Sequence, residues 1–218
     1  ANCENNCDGA NYNLSWNCGI EGVTDQAKIE MLRLRQIKNF FTILFFSQGT
    51  PMILMGDEVR RTQLGNNNSY CQNNELSWFD WSQIDQQNDL LRFVNGIINF
   101  TQKLKIMQLD KVLATVGVGP EPCLVRSKEK TNLDKAPNIS WHGIHLGVPD
   151  WRIDSRTLAF SLKHPENGEY FHIMLNAYWK PLMFELPLLN KGENWYLIVN
   201  TAFTSPKHDR TESASIGI

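Results

Sequence analysis

Apolar residues at Ile29, Leu32, Ile37, Phe40, Phe41, Leu44 and Phe45 recur close to helical spacing and predict an amphipathic helix from Ala27 to about Gln48. Asp25 stands where a cap would, and Gly49, Thr50 and Pro51 stop the run. Met52, Ile53, Leu54 and Met55 then form a short, wholly apolar stretch, the pattern of a strand buried on both faces of a parallel sheet. Gly56, Asp57 and Glu58 end it. A second helix is predicted from Leu90, Leu91, Val94, Ile97, Ile98 and Leu104, after an amide-rich loop over 65–74 and the aromatic run Trp78, Phe79, Asp80, Trp81. Residues 1–24, rich in Asn, Gly and Cys, read as a long ordered loop.

From about Asp110 the pattern changes. Runs rich in β-branched and aromatic residues at 158–162, 170–175, 183–186 and 195–199 are separated by Gly, Asn and Pro, as in an antiparallel sandwich. The expected fold class is therefore α/β plus all-β, with residues 1–108 as one domain and 109–218 as the other. One buried-type strand between two helices is not a complete parallel-sheet domain, because its edges would stay unpaired. A larger sheet is expected N-terminal to residue 1.

Composition narrows the function. The 218 residues are 42% hydrophobic and carry a formal net charge of −2, with Lys and Arg scattered. That leaves no electrostatic footprint for nucleic acid or an anionic membrane, and no apolar run approaches the roughly 20 residues of a membrane span. Five cysteines, an odd number at irregular spacing, favour reduced thiols in a cytosol-like compartment. The first residue is Ala, so the authentic N-terminus and any targeting segment are expected to be missing.

Candidate chemistry clusters between 56 and 81. Asp57 and Glu58 sit where a strand becomes a loop, the place where barrel enzymes put their sites; alternatively one caps a turn and the other forms a surface ion pair. The two cannot be a retaining catalytic pair, since neighbouring side chains leaving a strand point to opposite sides. Asn66, Asn67, Asn68 and Tyr70 offer amide donors and acceptors beside an aromatic face, suited to sugar hydroxyls and a glucose ring; the same residues also suit a tight turn anchored by Tyr70. Arg61 is expected to hold this loop, with a ligand contact as the alternative. His142 and His145 fall at a separation that sends them to opposite faces of a strand, so no metal or other cofactor is expected. Trp141, Trp151, Trp179 and Trp195 read as sandwich core, with a glucan-stacking platform as the alternative.

Several blocks carry a family likeness: Asn5-Asn6-Cys7-Asp8-Gly9, Asn13-Leu14-Ser15-Trp16-Asn17-Cys18-Gly19, the stretch from Ser47 to Glu58, and Gly65 to Gln72. Trp78-Phe79-Asp80-Trp81, Trp141-His142-Gly143, Pro149-Asp150-Trp151 and Asn176-Ala177-Tyr178-Trp179 follow in order. Together they resemble the isoamylase and bacterial glycogen-debranching branch of the α-amylase superfamily. Cys7 departs from the pattern, which usually has a basic or polar residue there.

The resemblance implies the C-terminal portion of a (β/α)8 barrel, with 52–55 as its last strand, followed by a C-terminal β-sandwich. It implies cleavage of α-1,6 branch linkages in glycogen, amylopectin or limit dextrin, with Asp57, Glu58, Asn66, Asn67, Asn68 and Tyr70 as substrate-binding residues. The family's nucleophile and acid/base lie in motifs that precede the Asn-Asn-x-Asp-Gly loop, so no catalytic residue is expected in this chain and it should be inactive alone. The implied partners are branched α-glucan and the barrel segment expected to precede residue 1, or an intact debranching enzyme. The implied location is the cytoplasm, or the plastid stroma for a plant-like source. Two rival readings are a non-catalytic glucan-binding or regulatory subunit and the inert product of a broken reading frame.

Overall fold

The computed structural model describes residues 3–5, 7, 9–10, 12, 14–66, 68–117 and 137–203. The chain divides into two units, Ala1–Thr101 with Tyr196–Ile218, and Gln102–Trp195.

The first unit is helical. Helix α1 runs Ala27–Phe45, a four-residue α2 spans Gln83–Gln86, and α3 spans Asn88–Thr101. The apolar stripes of α1 and α3 face each other: Phe41 and Phe45 pack with Leu90, Phe93, Val94 and Ile97, and Leu34, Ile37, Ile53, Ile98 and Val199 border them. Spacing of three and four residues puts these side chains on one face of each helix, which is why a pair of helices can bury them. Lys38 lies inside the same unit. Its ammonium donates to the Phe203 carbonyl at 2.9 Å and stands 5.2 Å from the Phe93 ring centroid. Burial pushes its pKa down, and Asp89 partly offsets this. The cap differs from expectation: Gln26, not Asp25, is the N-cap residue, and its N–H is taken by the Thr24 hydroxyl.

The expected strand over 52–55 is not there. These residues have no strand pairing, and Met52 is 86% exposed, with Leu54 and Met55 also exposed. Only Ile53 reaches the helix pair. The physical reason is that an apolar run becomes a strand only where a neighbouring strand takes its N–H and C=O groups, and among the described residues none lies beside it.

The second unit holds a four-stranded mixed sheet in the order β1-β2-β3-β4, with β1 Ala114–Val116, β2 Asn138–His142, β3 Thr157–His164 and β4 Glu169–Asn176. β1 runs parallel to β2, and the other two pairs are antiparallel. The described chain is thus α/β with a mixed sheet, not the wholly antiparallel arrangement expected. The runs at 158–162 and 170–175 are strands, whereas 183–186 and 195–199 carry no strand pairing. Glu169 accepts hydrogen bonds from the backbone N–H groups of Lys105 and Ile106 at 2.8 and 2.9 Å, satisfying the free start of a 3-10 turn over Lys105–Gln108.

One face of this sheet is polar. The Gly147 N–H donates to His142 Nδ1 at 2.8 Å, which fixes neutral His142 with its proton on Nε2, aimed at Ser161 Oγ at 3.1 Å. Ser161 Oγ in turn lies 2.9 Å from His172 Nδ1. His172 Nε2 is buried without a hydrogen-bond partner among the described residues. Burial, reinforced by His142, drives the His172 pKa down to about 4, and burial also lowers that of His142.

The tryptophans do not form the expected core. Trp151 and Trp179 are exposed, while Trp141 and Trp195 are half-buried. Trp141 rests against Trp151 and Phe160, with centroids 5.4 and 5.5 Å apart, and the Trp195 indole donates to the Pro187 carbonyl.

Candidate functional site

Three successive segments of the first unit are bound into one assembly. The first is the turn around a 3-10 segment, Asp57–Val59, between Gly56 and Arg60, both with left-handed backbone. Gly56 has φ of 103°, and a Cβ there would come within 2.7 Å of the Arg61 side chain, so only glycine fits. Val59 is buried and anchors the turn. Arg60 donates to Glu30 of α1 at 2.8 Å, and Glu30 also pairs with Arg33. Burial opposes ionisation of Glu30, but the two guanidiniums outweigh it and hold the carboxyl below its usual range.

Asp57 and Glu58 both bend back onto their own turn. Asp57 Oδ2 accepts from the Leu54 N–H at 3.3 Å, and Glu58 Oε2 accepts from the Gly56 N–H at 2.9 Å. In this arrangement both carboxylates stabilise backbone. Among the described residues neither makes the surface ion pair that was the alternative expectation.

The second segment is the amide-rich loop. Asn66 Oδ1 accepts from the Asn68 N–H at 2.9 Å, and Asn68 Oδ1 from the Tyr70 N–H at 3.3 Å, two successive turns of the kind asparagine favours. Asn67 lies outside the described residues. Tyr70 is 80% exposed, so its ring is presented to solvent and does not anchor the turn. The anchors are residues that sequence reasoning missed: Gln63 Nε2 donates to the Asn66 carbonyl, and the Ser69 hydroxyl donates to Gln63 Oε1 at 2.7 Å.

The third segment follows the loop. Ser77 donates from its hydroxyl to the Ser69 carbonyl at 3.0 Å, and Arg61 donates to the carbonyls of Leu76 and Ser77 at 3.3 and 3.2 Å. Arg61 thus has a structural role, but it ties the turn to the segment after the loop and not to the loop itself. Trp78 is exposed beside this junction, with its indole N–H on Asn73 Oδ1 at 3.1 Å. Phe79 and Trp81 meet edge to face at 4.8 Å. Short hydroxyls flanking an amide-rich loop were the available signal for Ser69 and Ser77, since such side chains commonly bond to nearby backbone.

Among the described residues no three His, Cys, Asp or Glu side chains converge on a metal position, and His142 and His145 turn to different partners, Ser161 and Glu185. His145 also lies beyond the end of β2, so strand alternation does not govern it. Among the described residues Cys3, Cys7, Cys18 and Cys71 form no disulfide, and Cys123 lies outside the described residues. Among the described residues no helix is long and apolar enough to cross a membrane.

Comparison with known proteins supplies the family. The model of the C-terminal region of isoamylases 1–3 matches residues 140–213. Isoamylase 1, chloroplastic, of Oryza sativa subsp. japonica is 36% identical over 206 residues, covering 94% of this chain and 23% of the relative. The glycogen operon protein GlgX homolog of Mycobacterium bovis is 54% identical over 108 residues, covering 50% of this chain and 15% of the relative. The glycogen debranching enzyme of Erwinia tasmaniensis is 41% identical over 111 residues, 51% of this chain and 17% of the relative. The chain spans less than a quarter of the length of each of these relatives. Agreement over nearly the whole chain, joined to a domain match at 140–213, places it in the family of isoamylase-type debranching enzymes, as a C-terminal region.

Proposed function

We propose that this chain is the part of an α-1,6-glucan debranching hydrolase that closes the catalytic barrel, lines its cleft with loops, and continues into a C-terminal β-sandwich. The barrel portion is residues 1–108 and the sandwich 109–218. Within an intact barrel, neighbouring strands would give 52–55 the ladder partners it lacks here. Asp57, Glu58, Asn66, Asn67, Asn68 and Tyr70 form the glucan-facing set: the Asx turns and the Gln63, Ser69 and Ser77 bonds hold the loop so that Tyr70 and the asparagine side chains meet the sugar, while Asp57 and Glu58, each bonded to its own turn through one oxygen, offer the other. The substrate is a branched α-glucan, and the location is the cytoplasm or a plastid stroma.

The observation that carries this reading is the bonded assembly of turn, loop and following segment through Arg61 and Ser77, in a chain 36% identical to an isoamylase. A loop pinned at both ends presents Tyr70 at little entropic cost on binding.

The chain alone is inactive. Hydrolysis with retention needs a nucleophile and an acid/base about 5–5.5 Å apart across the bond, and Asp57 and Glu58 are each turned onto backbone. The test has two arms. The purified chain should release no reducing ends from amylopectin above a buffer blank, and release abolished by Asp57→Asn would overturn the assignment. In a full-length enzyme carrying this segment, Tyr70→Ala should raise KM for branched glucan several-fold with kcat little changed, as for a contact made equally in ground and transition states. A loss of melting temperature with unchanged KM would return Tyr70 to a purely structural role.

A further inference from the structure

We infer that the loop over 176–180 is a second α-glucan contact, separate from the cleft loops, in which Trp179 stacks on a glucose ring of a linear chain while Tyr178 and Arg156 flank it. The position rests on geometry within the second unit, and the choice of ligand rests on the glucan reading above.

Trp179 is 71% exposed. An indole exposed to this degree adds little to the fold beyond its local contacts, because the stability an aromatic residue supplies comes chiefly from the area it buries. Yet its backbone is held firmly. The Ala177 N–H donates to the Arg156 carbonyl at 2.8 Å, extending the β3–β4 pairing by one bond beyond Thr157 and Asn176. Asn176 Oδ1 accepts from the Tyr178 N–H at 2.9 Å, and its Nδ2 donates to the Lys180 carbonyl at 3.0 Å. One side chain thus clamps both ends of the turn that carries the two rings. The Tyr178 and Trp179 centroids are 3.9 Å apart with planes inclined by 35°. The Arg156 guanidinium stands 6.0 Å from the Trp179 centroid, and among the described residues no carboxylate pairs with it.

This combination fits a neutral polyol. A pyranose offers a patch of C–H groups to the indole face and a rim of hydroxyls to the donors of a guanidinium and the phenol of a tyrosine. Because the loop is already ordered, little conformational entropy is lost on binding. A linear α-glucan presents the same ring repeatedly, so a single stacking position on the second unit would keep a chain near the enzyme and raise its effective concentration at the cleft.

The experiment uses the 218-residue chain in native gels cast with and without soluble amylopectin, with maltoheptaose as competitor. The wild-type chain should be retarded by amylopectin, and maltoheptaose should relieve the retardation. Trp179→Ala should weaken the apparent affinity roughly tenfold while leaving the melting temperature unchanged, since the ring is exposed, and Trp179→Phe should recover most of it. A wild-type chain that is not retarded, or Trp179→Ala retarded like wild type, overturns the inference. Retention in Trp179→Ala with loss in Tyr70→Ala would remove this site and leave the cleft-loop reading standing. If Trp179→Ala instead changes the sedimentation coefficient of the chain without changing retardation, the ring docks protein and the inference fails. The KM measurement on the full-length enzyme tests the cleft-loop reading independently of all these outcomes.

Discussion

Two short runs, the wholly apolar 52–55 and the mostly apolar 158–162, both read locally as strands and end differently. The second lies in β3, where Leu162 pairs with Ile139 on one side and Phe171 on the other, and Ala159 is fully buried. The first has no strand beside it among the described residues, and three of its four side chains face solvent. Apolar content and β propensity therefore do not make a strand; paired edges do, because each N–H and C=O withdrawn from water must find a partner.

The largest expected effect that sharpens this contrast is Leu162→Ala. It should destabilise the second unit by about 2–5 kcal/mol, as a cavity at a paired, packed position. Chemical denaturation followed by circular dichroism measures it, and a change below about 0.5 kcal/mol would mean that pairing does not fix this site. Gly143→Ala comes next. A Cβ there would lie 2.5 Å from the Val148 carbonyl oxygen, so the turn after β2 must shift, at a cost of about 1–3 kcal/mol in the same assay.

The polar face of the sheet gives a pH signature that the 52–55 region lacks. His172 titrates near 4 in the fold, against about 6.5 for an unperturbed imidazole, so below about pH 6.5 the unfolded chain takes up its proton first. Stability contributed by this group is whole above about pH 6.5 and declines progressively toward pH 4, and His142 acts in the same direction. Melting temperatures between pH 7.5 and 4 should fall for the wild type and fall less steeply for His172→Gln. Parallel curves would show that His172 is not the titrating group. The smallest effect is Leu54→Ala, which should move stability by no more than about 0.5 kcal/mol because the side chain is exposed. A loss above about 2 kcal/mol would reveal burial that this arrangement does not contain.

Much of the turn-and-loop assembly over 56–78 was not legible in the sequence. The Asx turns at Asn66 and Asn68 follow from residue type, because asparagine bonds to the backbone two residues on. The bonds from Ser77 to Ser69 and from Arg61 to Leu76 and Ser77 span eight, fifteen and sixteen residues, and no local spacing encodes them. Trp179 shows the opposite failure: a hydrophobic residue type suggested core, yet the turn closed by Asn176 leaves it at the surface.

By itself the sequence determined the two helices, whose period of 3.6 residues marks a buried stripe that the chain completes with its own second stripe. It determined β3 and β4 in the same way, since a run and its partner lie close enough in the chain to form a hairpin. Tertiary structure alone decided that β1 joins β2 in parallel, that 52–55 stays unpaired, and that Asp57 and Glu58 turn onto backbone. For the first two, hydrogen-bond partners distant in sequence are chosen by which groups the folded chain brings within reach, and residue type does not specify them. The carboxylate bonds reach back only three and two residues, and there the left-handed backbone at Gly56 shapes the turn that presents the N–H groups.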